Sequence, residues 1–158
     1  MRAVVQRVRS ARVTIDGLTA GAIEAGLLVY LAAAHGDGLA EAEWIAGKIA
    51  ALRIFPADPP HLAGHMDRSV EALGGAVLLI SQFTLYADTR RGRRPAFTDA
   101  APPELAAPLI EATAEALRKR GLRVEQGRFG AHMLVESEND GPVTIILDSA
   151  DRDRPRRG

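Results

Sequence analysis

Residues 76–85 read AVLLISQFTL. The run opens as Ala76-Val77-Leu78-Leu79-Ile80, directly after Gly74-Gly75. An unbroken apolar run bounded by glycine predicts a strand buried on both faces. It then turns polar through Ser81, Gln82, Phe83 and Thr84 without a turn residue, so the strand is expected over 76–83. Hydroxyls and an amide at the end of a buried strand suit a site held on a rigid element. Ordinary polar capping of a strand end fits the same residues.

Toward the N-terminus, residues 2–15 (RAVVQRVRSARVTI) alternate apolar and polar for much of their length. Val5, Arg7 and Arg9 share one side of such a strand, against Val4, Gln6 and Val8. Asp16-Gly17 marks a tight turn, with the return starting at Gly21-Ala22-Ile23-Glu24. LLVYLAAA after Gly26 is a second buried strand. His35-Gly36-Asp37-Gly38 is a loop. Ala42, Ile45, Ile49 and Leu52 have helical spacing across 39–52, with Trp44 beside that face. Arg53-Ile54-Phe55 reads as a short strand, and the proline-rich stretch 56–64 as loop.

Toward the C-terminus, residues 87–94 (ADTRRGRR) form an arginine-dense loop. Pro102-Pro103 start a helix whose stripe is Leu105, Leu109, Ala112, Ala116 and Leu117, closed by Gly121. Pro108 inside it predicts a kink or reset. Strands are expected over 122–126 and 131–137, flanking Gly127-Arg128-Phe129-Gly130. Asn139-Asp140-Gly141-Pro142 is the strongest turn signal in the chain, and it leads into a further strand, Val143-Thr144-Ile145-Ile146-Leu147. The charged stretch from Asp148 lacks apolar anchors and is expected to be disordered. The sum is about eight strands, two helices and one core in a mixed α/β layered domain over 1–147, with a tail over 148–158.

The chain has 158 residues, 47% hydrophobic and 25% charged, with zero net charge. That size supports one domain with a substantial core. Neutrality argues against coating long nucleic acid by charge alone, though not against gripping a short piece of RNA. There is no cysteine, which excludes disulfides, thiolate catalysis and Cys metal sites. No apolar run approaches the roughly 20 residues of a membrane span, and the charged start has no signal region. A cytoplasmic protein is expected.

The four histidines His35, His61, His65 and His132 have no metal-ligand pattern. His61 and His65 are four apart but in a proline-rich loop, so no metal is expected. Arg90-Arg91-Gly92-Arg93-Arg94 is either a solvated loop or a phosphate contact, since arginine offers bidentate hydrogen bonds and glycine lets the backbone approach. Ser81 and Thr84 could be nucleophiles, yet no Ser-His-Asp or Gly-x-Ser-x-Gly signature accompanies them. Backbone amides near Gln82 and Phe83 are better candidates as oxyanion donors.

These residues resemble the bacterial and eukaryotic D-aminoacyl-tRNA deacylases. The resemblance spans about residues 1–147. It is carried by Gln6-Arg7-Val8, Gly26-Leu27-Leu28, Arg53-Ile54-Phe55, Ser81-Gln82-Phe83-Thr84-Leu85, RRGRRPAF at 90–97, Gly127-Arg128-Phe129 and Asn139-Asp140-Gly141-Pro142-Val143-Thr144. It implies a three-layer α/β/β fold with barrel-like sheets and two main helices. It also implies a homodimeric hydrolase that clears D-amino acids from the acceptor end of tRNA, for translation quality control, with no cofactor and no DNA or membrane partner.

By that resemblance Ser81, Gln82, Phe83 and Thr84 are the catalytic stretch, positioning the ester chiefly through backbone. Gly141 and Pro142, joined by a cis bond, are a chiral gate delivered by the partner subunit to exclude L-amino acids. Arg7 supports that gate. Phe129 and Met133 line an adenosine pocket, and Arg91 and Arg94 are candidates for RNA phosphates. Glycyl-tRNA is also implied as a substrate, and the ribose hydroxyl of the tRNA as a catalytic participant.

The chain departs from the family's pattern at His65-Met66-Asp67, at Glu136-Ser137-Glu138 before the Gly-Pro element, and at His132. Two alternatives stand beside this: a sister editing enzyme with a trans Gly-Pro that clears L-alanine, and a catalytically silent RNA-binding dimer. The intact SQFTL argues against the first.

Overall fold

A computed structural model of the chain describes residues 1–57, 66–152 and 154. The alternating N-terminal stretch is strand β1 (Arg2–Ile15), followed by β2 (Leu18–Ile23) and β3 (Gly26–Ala32). Between β1 and β2, Asp16 and Gly17 both have positive φ, 51° and 77°, as a two-residue hairpin turn requires. The return begins at Leu18, earlier than the glycine signal suggests. Next come α1 (Leu39–Ala51), β4 (Arg53–Pro56), β5 (Met66–Ser69) and β6 (Ala76–Ser81). A 3-10 turn (Phe83–Tyr86), α2 (Pro103–Lys119), β7 (Arg123–Gln126) and β8 (Leu134–Asp148) complete the set. The expected loop over 56–64, with His61 and His65, lies largely outside the described residues.

The main sheet runs β2-β1-β3-β6-β7, with β8 on the other edge of β1. β6 is parallel to both β3 and β7, while β1 is antiparallel to β2, β3 and β8. β4 and β5 form a separate antiparallel pair. The sheet curls until β2 touches β6 and β7, so it is nearly closed into a barrel.

The described residues form two cores where one is expected. The larger lies between the sheet and the two helices. It takes Val5, Leu27, Val29, Leu31, Val77 and Leu79 from the sheet, and Ile45, Ile49, Leu109 and Leu117 from the helices. The smaller fills the inside of the curl with Val8, Val13, Leu28, Leu78 and Ile80. Neighbouring residues of β6 thus point into different cores, which is why its sequence is continuously apolar. Each such aliphatic side chain contributes about 1.5–3 kcal/mol by burial.

β1 serves both cores because it is bulged. Val8 faces Asn139 and Ser10 faces Glu138 on β8, so two steps on β1 match one on its partner. The extra residue changes which alternate positions face inward. Arg7 is therefore buried while Arg9 is exposed, although simple alternation puts them on one side.

In α2, Leu105 is exposed and the buried face is instead Ala106, Leu109, Ile110, Thr113, Ala114, Ala116 and Leu117. The helix runs on through Pro108. The amide missing there would have reached the Glu104 carbonyl in the first turn, where the residue is exposed and water can serve instead.

The tail also begins later than composition suggests. Asp148 belongs to β8, and Ser149–Asp151 form a 3-10 turn. Ser149 is buried and donates its N–H to the Met1 carbonyl at 2.8 Å. Residues 153 and 155–158 lie outside the described residues. Among the described residues no helix is long and apolar enough to cross a membrane.

Candidate functional site

β6 ends at Ser81, two residues short of the expected strand, and the chain folds into the 3-10 turn that carries Phe83 and Thr84. The Gln82 N–H still joins the sheet, donating to the Leu31 carbonyl at 2.8 Å. This removes it as an oxyanion donor. The amides of Phe83 and Thr84 start the 3-10 turn and have no acceptor within it. The Gln82 side-chain amide donates to the Thr84 hydroxyl in a short hydrogen bond. Phe83 remains 58% exposed. It meets the edge of Phe97, with ring centroids 5.1 Å apart at 72°.

One cavity of about 590 Å³ lies beside this turn. Ser81, Gln82 and Phe83 line one side, and Phe129, His132 and Met133 another. Leu31, Ala106 and Ile110 contribute apolar wall from β3 and α2. The Gly127 to Met133 connection is folded tightly. A Cβ at Gly127 would sit 2.4 Å from the Met133 sulfur, so the absence of a side chain there lets Met133 turn inward. Among the described residues the cavity lining has no carboxylate, lysine or arginine, and His132 is its one titratable side chain. Thr84 is not among the lining residues.

Gly141 and Pro142 lie elsewhere and do not line this cavity. They do not reverse the chain. β8 is one strand from Leu134 to Asp148, paired with β1 on both sides of them: Asn139 faces Val8 and Thr144 faces Gln6. Residues 140–143 are looped out of the ladder opposite Arg7. The Gly141–Pro142 bond is cis, and Gly141 has φ +133°.

The base of this bulge is tied on both sides. The Asn139 side chain accepts the Val143 N–H at 2.9 Å. Beneath it, Arg7 is 9% exposed. Its Nε donates to the Asp140 carbonyl at 3.0 Å and lies 3.2 Å from the Asp140 carboxylate. Its Nη1 donates to the Ile54 carbonyl at 2.5 Å. The approach to the bulge is held by cross-strand ion pairs, Arg12 with Glu136 and Arg9 with Glu138. The acidic departures at 136–138 thus answer the arginines of β1. Exposed pairs of this kind contribute at most about 1 kcal/mol each.

The arginine loop has a closed neck, with Asp88 and Ala96 exchanging backbone hydrogen bonds of 2.7 and 2.9 Å. Arg90 is bound back to Asp88 at 2.7 Å, and its guanidinium hydrogen bond holds that carboxyl far below its ordinary range. Arg91, Arg93 and Arg94 are exposed, and none has an ion pair among the described residues. Phe97, just past the neck, is a cavity residue; it ends the RRGRRPAF stretch, but no sequence signal assigned it a role. Its place follows only from the fold. Among the described residues, no cluster of three or more His, Asp or Glu side chains could hold a metal.

The family model described as D-Tyr-tRNA(Tyr) deacylase matches residues 4–148. The chain is 57% identical over 156 residues to a D-aminoacyl-tRNA deacylase of Roseiflexus castenholzii, covering 99% of this chain and 97% of that protein. A solved structure titled c-Myc DNA Unwinding Element Binding Protein superposes with TM-score 0.86 at 39% identity, over 94% of this chain and 98% of that one. A probable eukaryotic D-amino acid tRNA deacylase superposes with TM-score 0.80 at 17% identity, over 92% and 97% of the two chains. That last likeness speaks for the fold alone.

Proposed function

This chain belongs to the D-Tyr-tRNA(Tyr) deacylase family, and from that footing we propose how it selects and cleaves its substrate. It is a hydrolase for the ester bond of D-aminoacyl-tRNA, releasing free D-amino acid and tRNA. The terminal adenosine of the tRNA enters the cavity against Phe129 and Met133. Gln82, Phe83 and Thr84 hold the scissile carbonyl beside it, with Ser81 at the strand end. The amides of Phe83 and Thr84 face the oxyanion, since that of Gln82 is spent on the sheet.

The attacking oxygen comes from water. It bonds to the carbonyl carbon, the ester C–O bond breaks, and the ribose oxygen leaves with a proton. The vicinal ribose hydroxyl of the substrate assists that transfer. The observation that carries this reading is the cavity itself. It brings Ser81, Gln82, Phe83, Phe129 and Met133 around one space whose lining, among the described residues, has no carboxylate, so no paired acid and base of the enzyme flank the ester.

Chirality is read by Gly141-Pro142 from a second copy of the chain, braced by Arg7 of that same copy. A fixed backbone element refuses the L side chain by collision and leaves D side chains free, which attraction in an apolar pocket could not do as sharply. Glycyl-tRNA mischarged on tRNA-Ala is accepted too, because glycine has no side chain to refuse. Two observations support a homodimer. The bulge and the cavity do not meet within one chain, and β8 leaves Leu134 63% and Ile146 70% exposed. Arg91 and Arg94 contact acceptor-end phosphates.

The test is deacylation of D-tyrosyl-tRNA beside L-tyrosyl-tRNA. The D ester is expected to decay with enzyme and the L ester to persist; equal persistence of both would sink the reading. Thr84→Ala, in the same assay, keeps activity within about tenfold, the scale of one lost neutral hydrogen bond. A loss of about 10³-fold or more with KM intact would instead make Thr84 the attacking group.

A further inference from the structure

We propose that Arg2 is a positioning residue for the ester-holding turn, itself aimed by Asp148. The turn Phe83–Tyr86 has no buried residue, so core packing does not set its place. Polar ties at its two ends do. At the start, the Gln82 N–H reaches the Leu31 carbonyl. At the end, Arg2 Nη1 donates to the Leu85 carbonyl at 2.8 Å. The same guanidinium stacks over the Tyr86 ring, 4.6 Å from its centroid. Carbonyls at the end of a helical turn have no partner within it, and here the arginine supplies one.

Asp148 fixes that arginine. Nε and Nη2 of Arg2 donate to its Oδ2 at 3.1 and 2.9 Å. The two residues stand opposite each other in the β1–β8 ladder. The other Asp148 oxygen accepts the Ala150 N–H at 3.0 Å, so the carboxylate is held in turn. One planar fork thus serves a carboxylate, a carbonyl and an aromatic face together, which a lysine cannot do. Without it the Leu85 end of the turn is held, among the described residues, only through the Asp88–Ala96 hydrogen bonds further along the chain, and the Phe83 and Thr84 amides shift against the ester. Misplacement by about 1 Å can cost about 100-fold in rate. The inference rests on the reading that residues 82–84 hold the ester.

The experiment compares Arg2→Ala, Arg2→Lys and Asp148→Asn with the unmodified enzyme on D-tyrosyl-tRNA, below the melting temperature of each. In both Arg2 variants kcat falls about 10- to 100-fold while KM stays within about threefold. Asp148→Asn gives a smaller loss that does not add to that of Arg2→Lys, because both act through one contact. If Arg2→Ala does not fold, Arg2→Lys and Asp148→Asn decide the matter. An active enzyme whose kcat ignores Arg2 and Asp148, or loses rate only in step with its folded fraction, overturns the inference. A rise in KM alone does so too. If the unmodified enzyme leaves D-tyrosyl-tRNA intact, the parent reading fails and takes this one with it.

Discussion

Phe129→Ala raises the KM for D-tyrosyl-tRNA roughly 5- to 150-fold and leaves kcat nearly unchanged. The argument is one of stacking. Phe129 lines the cavity beside Met133 and is 41% exposed, so its ring has a free face for a base. Base–aromatic stacking contributes about 1–3 kcal/mol per base, and about 1.4 kcal/mol is tenfold in affinity. A ring stacked on the adenine, as proposed, acts equally in ground and transition states, so its loss weakens binding and not the chemical step. Phe129→Tyr, which keeps the stack, stays close to the parent. Steady-state kinetics over a range of tRNA concentrations decides it. A fall in kcat with KM unchanged would move Phe129 out of the adenine wall.

Arg7→Ala has the second large effect, on both stability and selectivity. The guanidinium is 9% exposed and bridges two carbonyls, those of Asp140 and Ile54, on separate elements. Its removal leaves both without that partner, and the half-open Asp140 carboxylate with only the longer Arg9 contact at 3.7 Å. Lost charge-assisted hydrogen bonds and the cavity left behind destabilise by about 2–4 kcal/mol, with water at Asp140 limiting the cost. For a chain of this size that corresponds to a melting temperature lower by about 5–15 °C.

Selectivity follows, because residues 140–143 are looped out of the ladder and Arg7 is what lies under them. At a temperature where the variant is folded, L-tyrosyl-tRNA hydrolysis rises while D-tyrosyl-tRNA hydrolysis continues. Arg7→Lys does not restore discrimination, since a point charge cannot bridge the two carbonyls. Thermal melts and the paired D and L assays check both halves. A variant as stable as the parent and still closed to L esters would falsify the role given to Arg7.

Much of the fold is legible residue by residue. The bounds of β1, β3, α1 and α2 follow from alternation, apolar runs and helical spacing close to where the structure has them. The errors share one cause. Asn-Asp-Gly-Pro has the same local chemistry whether the chain reverses or merely bulges. What decides is that the edge of β1 is long enough to pair with both halves of β8. The strand at 76–83 ends early because the chain enters the 3-10 turn after Gln82, and the change to polar residues at Ser81 fits a polar strand end and a turn equally. β5 escapes notice because Met66–Ser69 has no apolar alternation; its pairing with β4 makes it a strand.

The site divides in the same way. Ser81-Gln82-Phe83-Thr84 and Asn139-Asp140-Gly141-Pro142 are visible as short patterns, and with them the family. The contacts of Arg2 and Phe97 are not, because neither a lone arginine nor the phenylalanine that ends RRGRRPAF carries a pattern for the partner it meets. Arg2 reaches the turn only because β1 pairs with β8, and Phe97 reaches Phe83 only because the arginine loop closes at its neck. The sequence by itself determined most of the elements, their approximate order of burial and the chemistry suggested by each motif, since those depend on neighbours a few residues apart. Only the tertiary structure decided that one apolar strand divides two cores, that a turn motif is a bulge resting on a buried arginine, and that the cavity and the Gly-Pro element stand apart within one chain. Those outcomes depend on contacts between residues far apart in sequence, and such contacts leave no local mark.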